Sequence, residues 1–390
     1  MSAPPLRAIG ELVEPVSSWT PERDGPDGVF TYIDLSAVDQ DAKAIAGARE
    51  VVCSEAPSRA RQLVRAGDVL VSTVRPNLNG VAHVPPEFDG ATASTGFCVL
   101  RPRATQLDGQ YLYQWVKSPH FVKDMVRKAT GASYPAVSDR IVCESKIPLP
   151  PLPEQRRIAA ILDKADALRA KRRAAIAQLD TLTQSIFLDM FGDISRNDRH
   201  WPQRKLGELL KIRRGGSPRP IEKYLGGDIN WIKIGDGVGE SDMYIDRSAD
   251  KITREGLNKT VFLKVGSLIL ANSGVSLGFA RILRIDGCIH DGWLSLEEVP
   301  EDVLNKMFLL KALNSLTEHF RRIAPSGTQP NLNTELVKAF AMVMPPLALQ
   351  DQFTKCVAAI ERLKSMERRS VAEVDAAFSS IQHRVFQGEL

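Results

Sequence analysis

The sequence predicts an α+β chain in which two globular domains are joined by two long antiparallel coiled-coil helices with pseudo-two-fold symmetry. Three observations predict it: two long runs free of glycine and proline with apolar residues at coiled-coil spacing, a repetition of the chain at an offset near 195 residues, and short β-rich runs in each globular half. A chain of 390 residues is also too long for one comfortable core. The expected boundaries are 1–150 and 194–345 for the globular domains, with 151–193 and 346–390 for the helices.

The central helix is read from PLPPLPEQRRIAAILDKAD. Pro153 suits a first helical turn, Glu154 suits the positive helix end, and Gly192 follows Phe191 as a stop. Stepping alternately by three and four gives Ile158, Ile161, Ala165, Leu168, Arg172, Ala175, Leu179, Leu182 and Ile186, a seam broken only by Arg172. The same stepping near the C-terminus gives Phe353, Cys356, Ile360, Leu363, Glu367, Ser370, Val374, Ala377 and Ile381. Pro150-Pro151-Leu152 and Pro345-Pro346-Leu347 stand 195 residues apart, as do Ser185-Ile186 and Ser380-Ile381, so the helices are copies. Arg172 and Glu367 correspond at that offset and are expected to meet where the helices cross, fixing register more than adding stability. Alternatively, each side chain snorkels to water by itself.

The repeat continues through the globular halves. RAGDVLVSTVRPNLNGVAHV from Arg65 parallels KVGSLILANSGVSLGFARIL from Lys264, each a glycine-led turn, an apolar strand and a polar loop. ATGASYPAVS from Ala129 parallels APSGTQPNLN from Ala324. Similar interiors with divergent loops are the pattern of a bipartite reader working on two different targets. The helix from Pro153 to Phe191 would span roughly 57 Å at 1.5 Å per residue, enough to hold two heads about one duplex turn, roughly 34 Å, apart.

Composition narrows the alternatives. A net charge of +4 permits an acidic partner without demanding one. The five cysteines are scattered and show no metal-ligand spacing, which suits a reduced, cytoplasmic compartment. No secretion signal or run of eighteen apolar residues is present. GxxxxGK[ST] is missing, and so is the Asn/Asp-Pro-Pro-aromatic motif of amino-methyltransferases. Pro26-Asp27 and Glu144-Ser145-Lys146 match a metal-dependent nuclease pattern only superficially, and His290-Asp291 is best explained as a structural hydrogen bond. No constellation for catalysis emerges.

Several stretches together carry a family resemblance: STVRPNLNGVAHV with STGFCVLRP (Ser72 to Val84, Ser94 to Pro102), the PLPPLPEQRRIAAILDKAD boundary, RRGGSPRP with YLGGDINWIKIGD (Arg213 to Asp236), and CIHDGW (Cys288 to Trp293). Over essentially its full length the chain resembles the specificity (S) subunit of type I DNA restriction-modification systems. That resemblance implies two target-recognition domains, each reading half of a split double-stranded DNA sequence, on spacer helices that dock two methyltransferase (modification) subunits. It further implies motor-nuclease (restriction) subunits in the full complex and no catalysis by this chain, with S-adenosylmethionine, ATP and magnesium carried by partners and no cofactor bound here. The C-terminal helix departs in having Glu367 and Ser370 within its seam.

Candidate DNA contacts follow from loop position and side-chain chemistry, phosphates being met by Lys and Arg and base edges by amides and guanidinium groups. In the first domain these are Arg75, Asn77 and Asn79 directly after a strand, then Ser133 and Tyr134 beside Gly131. In the second they are Arg213, Arg214, Ser217 and Arg219 around a glycine-rich turn, with Asn272, Ser273, Gln329 and Asn331 in the loops equivalent to those of the first. Alternatively, Asn77 and Asn79 stabilise a turn through their own backbone, and Arg213 and Arg214 are solvated surface. A stand-alone sequence-specific regulator, a nuclease or methyltransferase, and a scaffold that ignores DNA are the other classes to be separated.

Overall fold

Apolar residues three and four apart from Leu152 onward build a single uninterrupted helix, Leu152–Phe191, and a second runs Leu347–Gln387. The structure is a computed structural model describing residues 4–239, 241–325 and 331–387. The chain divides into two units, residues 1–173 with 368–390 and residues 174–367, so each unit owns one globular domain and about half of each long helix.

In the first unit, strands Arg49–Val52, Val29–Ile33, Thr92–Ser94 and Ala60–Leu63 form one sheet in that order, its two central strands parallel. Val13–Glu14, Phe97–Pro102, Val69–Ser72 and Val81–His83 form a second, antiparallel one. The second unit repeats both orders. Asp250–Ile252, Leu225–Ile232, Gly287–Ile289 and Val261–Leu263 repeat the first sheet. Lys211–Arg214, Trp293–Glu297, Leu268–Ala271 and Ala280–Leu283 repeat the second, with Tyr244–Ile245 added at the edge. Each globular domain is closed at its base by a strand pair, Leu6–Ala8 with Lys146–Pro148 and Gln203–Lys205 with Ala341–Val343.

Each core is completed by the long helices. In the first unit Val69, Leu100, Tyr111 and Phe121 pack with Ile158 and Leu162 of the central helix and Phe378 and Val385 of the C-terminal one. In the second, Leu268, Leu294, Phe308 and Phe320 pack with Phe187, Phe191, Phe353 and Val357. Every such side chain contributes about 1.5–3 kcal/mol by leaving water. One buried amide per unit ties helix to domain. The Asp108 N–H donates to Gln155 Oε1 at 2.8 Å, while Gln155 Nε2 donates to the carbonyls of Gln106 and Pro150 at 3.0 and 2.8 Å. The second unit repeats the tie, its glutamine and proline 195 residues on and its loop partners 197 residues on: the Asn305 N–H donates to Gln350 Oε1 at 2.8 Å, and Gln350 Nε2 donates to the carbonyls of Val303 and Pro345 at 3.2 and 2.7 Å.

The helix seam differs in part from the expected one. Ile158 and Ile360 are buried, and Ile161, Arg172, Leu179, Glu367 and Val374 are half-buried. Leu168 and Leu363 are corrections: they are 40% and 50% exposed and lie outside the seam. A strict 3.5-residue step drifts about 20° per heptad from a straight helix, and polar residues take the vacated places. In the first unit Arg169 pairs with Asp375, holds Asp166 at 2.8 Å and stacks 4.7 Å from the Phe378 ring. In the second, Lys364 pairs with Asp180 and Glu361, both at 2.6 Å. Arg169 corresponds to Lys364, and Asp375 to Asp180, at the offset of 195. These pairs tie the two helices antiparallel within each unit. Arg172 and Glu367 fall one in each unit, and their pairing stays an expectation.

Candidate nucleic-acid interface

The first unit brings its two expected loops together. After strand Val69–Ser72 the Thr73 hydroxyl donates to the Gly96 carbonyl at 2.9 Å, Val74 bridges to Ala136, and the Arg75 N–H donates to the Pro135 carbonyl at 2.7 Å. Arg75 and Asn79 flank a one-turn helix, Pro76–Leu78, both in left-handed backbone at φ 50° and 47°. Such a backbone costs a residue with a Cβ about 1–2 kcal/mol, less for asparagine. Asn79 therefore does stabilise the turn. The Arg75 guanidinium lies 4.8 Å from the centroid of the Tyr134 ring, which is 69% exposed. Asn77 and Ser133 are exposed on the same two loops.

Lys43 belongs to this cluster and no sequence signal marked it, since it comes from a polar loop some thirty residues upstream in an unremarkable context. Its Nζ donates to the carbonyls of Asn79 and Leu78 at 2.7 and 3.4 Å, and its own carbonyl accepts from the Tyr113 hydroxyl at 2.7 Å. Burial pushes the Lys43 ammonium below the ordinary lysine range.

In the second unit the equivalent loops are again joined, Ser273 bridging Asn331. Gln329 lies outside the described residues. Asn272 is a correction: it is fully buried, and its Nδ2 donates to the Asp291 carbonyl at 3.2 Å, so it secures a turn and has no face for a base. Arg213 is exposed, its guanidinium gripped by both Glu297 oxygens at 2.8 and 2.6 Å across neighbouring strands. Arg214 and Arg219 are exposed, Arg214 Nε donating to the Asp291 carbonyl at 2.9 Å, and the Ser217 hydroxyl donates to Asp291 Oδ1 at 2.8 Å. The glycine-rich turn fits close, because a Cβ on Gly215 would sit 2.3 Å from the His290 carbonyl. His290 Nδ1 accepts the Gly292 N–H at 2.9 Å. Burial holds its imidazole below the ordinary histidine range; Asp291 opposes this, and nearby Lys233, Arg214 and Arg219 add to it. Of those three cations, Lys233 is paired with Asp250, and Arg214 and Arg219 are exposed.

Among the described residues no group of three or more metal-ligating side chains occurs. Nor is any helix there long and apolar enough to cross a membrane.

Residues 63–178 and 198–375 match the model of the type I restriction modification DNA specificity domain. The chain belongs to that family. Its members are the non-catalytic, sequence-specific DNA-recognition subunits of type I restriction systems. The type I restriction enzyme MjaVIII specificity subunit of Methanocaldococcus jannaschii is 24% identical over 308 residues, covering 73% of this chain and 71% of that one. A solved chain described under complex assembly and conformational transition of the type I R-M system superposes with a TM-score of 0.64 at 26% identity, covering 100% of both. The crystal structure of the type I restriction-modification S subunit from M. genitalium shares the fold, with a TM-score of 0.58 at 17% identity over 98% of this chain and 96% of that one. In this specificity subunit the loops just described stand on sheets whose order is the same in both units.

Proposed function

We propose that this specificity subunit reads a two-part double-stranded DNA target in the cytoplasm, one half-site per globular domain, and scaffolds two methyltransferase subunits to which motor-nuclease subunits add. The observation that carries it is duplication with selective divergence. Sheet order, the glutamine ties and the ion-pair positions repeat between the units, while the loops at the strand ends do not. A chain that recognised one sequence twice would have no reason to differ there.

The two corrected seam residues support the scaffolding half. Leu168 and Leu363 correspond at the offset of 195, and both are exposed. Each helix thus bears apolar side chains on an outer face as well as in its seam. Paired outer faces suit two copies of one partner, and exposed leucines at matching positions are the anchors a partner helix would cover. S-adenosylmethionine, ATP and magnesium belong to those partners in this reading.

The test uses the full chain, with and without co-expressed methyltransferase subunits, on a randomised duplex pool. A two-part motif is expected with the partners present. Motif-specific binding without them would favour a stand-alone regulator, and uniform binding to all duplexes would remove the reader. Replacing Leu168 and Leu363 together by Glu should abolish co-purification of the methyltransferase subunits and leave stability within about 0.5 kcal/mol, as for exposed sites generally.

A further inference from the structure

We propose that Arg75, held flat by Tyr134, reads a guanine edge in the major groove of the half-site bound by the first unit. This rests on the two-part reader above and names one base that it reads.

The first support is strain. Among the described residues six non-glycine residues have positive φ, and three of them, Lys43, Arg75 and Asn79, meet at this one loop. Residues held in sparsely populated backbone conformations gather at functional sites, because elsewhere nothing retains them. The second support comes from the other unit. Gly274 and Gly278 stand 199 residues after Arg75 and Asn79, in the corresponding loop, with φ of 70° and 92°. There the same left-handed positions are filled by the residue that adopts them freely. An added Cβ at Gly274 would meet nothing within 4 Å, so the turn asks for no side chain at that point. An arginine at the matching place is therefore kept for something other than making the turn.

The third support is what the guanidinium is doing. Arg213 spends its donors on Glu297, and Arg101 is bound bidentately to Asp68 at 2.9 and 2.8 Å. Arg75 forms no ion pair and no side-chain hydrogen bond among the described residues, and its guanidinium lies over the Tyr134 ring, 4.8 Å from the centroid. A stacked guanidinium keeps its N–H donors in its own plane and unspent. That fork matches O6 and N7 of guanine, the commonest specific contact in the major groove. Prior immobilisation by the ring and by the Arg75 N–H bond to Pro135 lowers the ordering cost on binding. Tyr134 is thus a positioning residue, exposed enough to lie against the duplex itself.

The experiment recovers the bound motif from the randomised duplex pool for wild type, Arg75→Gly, Arg75→Lys, Tyr134→Phe and Tyr134→Ala, each as the full chain with its methyltransferase subunits. Arg75→Gly copies the residue of the second unit's turn and should fold at least as well as wild type. The expected result is that one guanine of one half-site becomes degenerate in Arg75→Gly and Arg75→Lys, with discrimination there falling about ten- to a hundredfold, and the other half-site unchanged. Tyr134→Ala should weaken the same position and Tyr134→Phe restore it. An unchanged motif in Arg75→Gly, or a uniform loss at all positions with a shallower salt dependence, would overturn the proposal and assign Arg75 to a phosphate. A wild-type complex that yields no two-part motif would instead bring down the reader beneath it.

Discussion

The two helix clamps of this molecule sit at equivalent positions and are built from different chemistry. In the first unit a guanidinium, Arg169, pairs with Asp375 while lying on the Phe378 ring, and its side chain is 23% exposed. In the second an ammonium, Lys364, is 2% exposed and held by two carboxylates, Asp180 and Glu361. Thr183 stands where the first unit has Phe378. Each cation also holds a carboxylate on its own helix, Asp166 in one copy and Glu361 in the other; what differs is the aromatic face over the arginine and the deeper burial of the lysine. Equal geometry has thus been kept while the balance between burial and charge changed.

Three measurements would break or sharpen that comparison. The largest effect is expected at the amide ties that the units share without alteration. Gln155→Leu and Gln350→Leu should each cost about 3 kcal/mol in chemical denaturation, because each strands one N–H and two carbonyls in a buried site; a loss in only one of them would undo the equivalence. Next, Lys364→Ala should cost about 2 kcal/mol and Arg169→Ala about 1 kcal/mol by thermal unfolding, the more buried cation being the harder to lose. Equal losses would mean that exposure does not set the difference.

The smallest effect is on pH dependence. Burial pulls the Lys364 ammonium down, but its hydrogen bonds to Asp180 and Glu361 outweigh that and leave it above its ordinary value of 10.5. A cation raised on folding contributes stability that is complete below 10.5 and fades as pH climbs through the raised value. Asp242 behaves oppositely. Burial pushes its carboxyl up, yet Lys311, 2.7 Å away, prevails and holds it below 3.8, so its contribution is complete above that and fades with acid. The second unit should therefore loosen at both extremes in a circular dichroism titration, and Lys364→Met should flatten the alkaline limb. An alkaline limb that survives in Lys364→Met would assign it to another group.

Much of this was legible in the residues. The duplicated helices, their ends near Pro153 and Phe191, and the α+β halves all follow from proline, glycine and apolar spacing, whereas the meeting of loops 75–79 and 131–136 is seen only in the structure. Leu168 and Leu363 were misplaced for a definite reason: each helix has a second apolar face, and a rule that seeks leucine cannot tell which face the partner within the chain will take. Arg169, Asp375, Lys364 and Asp180 escaped notice because a seam made of opposite charges looks polar until both helices are seen together. Asn272 was misjudged as a DNA contact since the Asp291 that occupies it lies about 20 residues away in sequence, and the Glu297 that pairs with Arg213 lies about 80 residues away. Lys43 was out of reach altogether, its role being set by a hydrogen bond to a loop it precedes by 36 residues.

The division of the helices between the units has a bearing on how the polypeptide is made. Translation delivers the first globular domain early, but Phe378 and Val385, which complete its interior, arrive only after residues 174–367 of the second unit. The second unit, spanning residues 174–367, has every part it needs sooner. The half begun first is thus the half finished last, and a nascent chain arrested short of Phe378 would leave the ribosome with its older domain still unsealed.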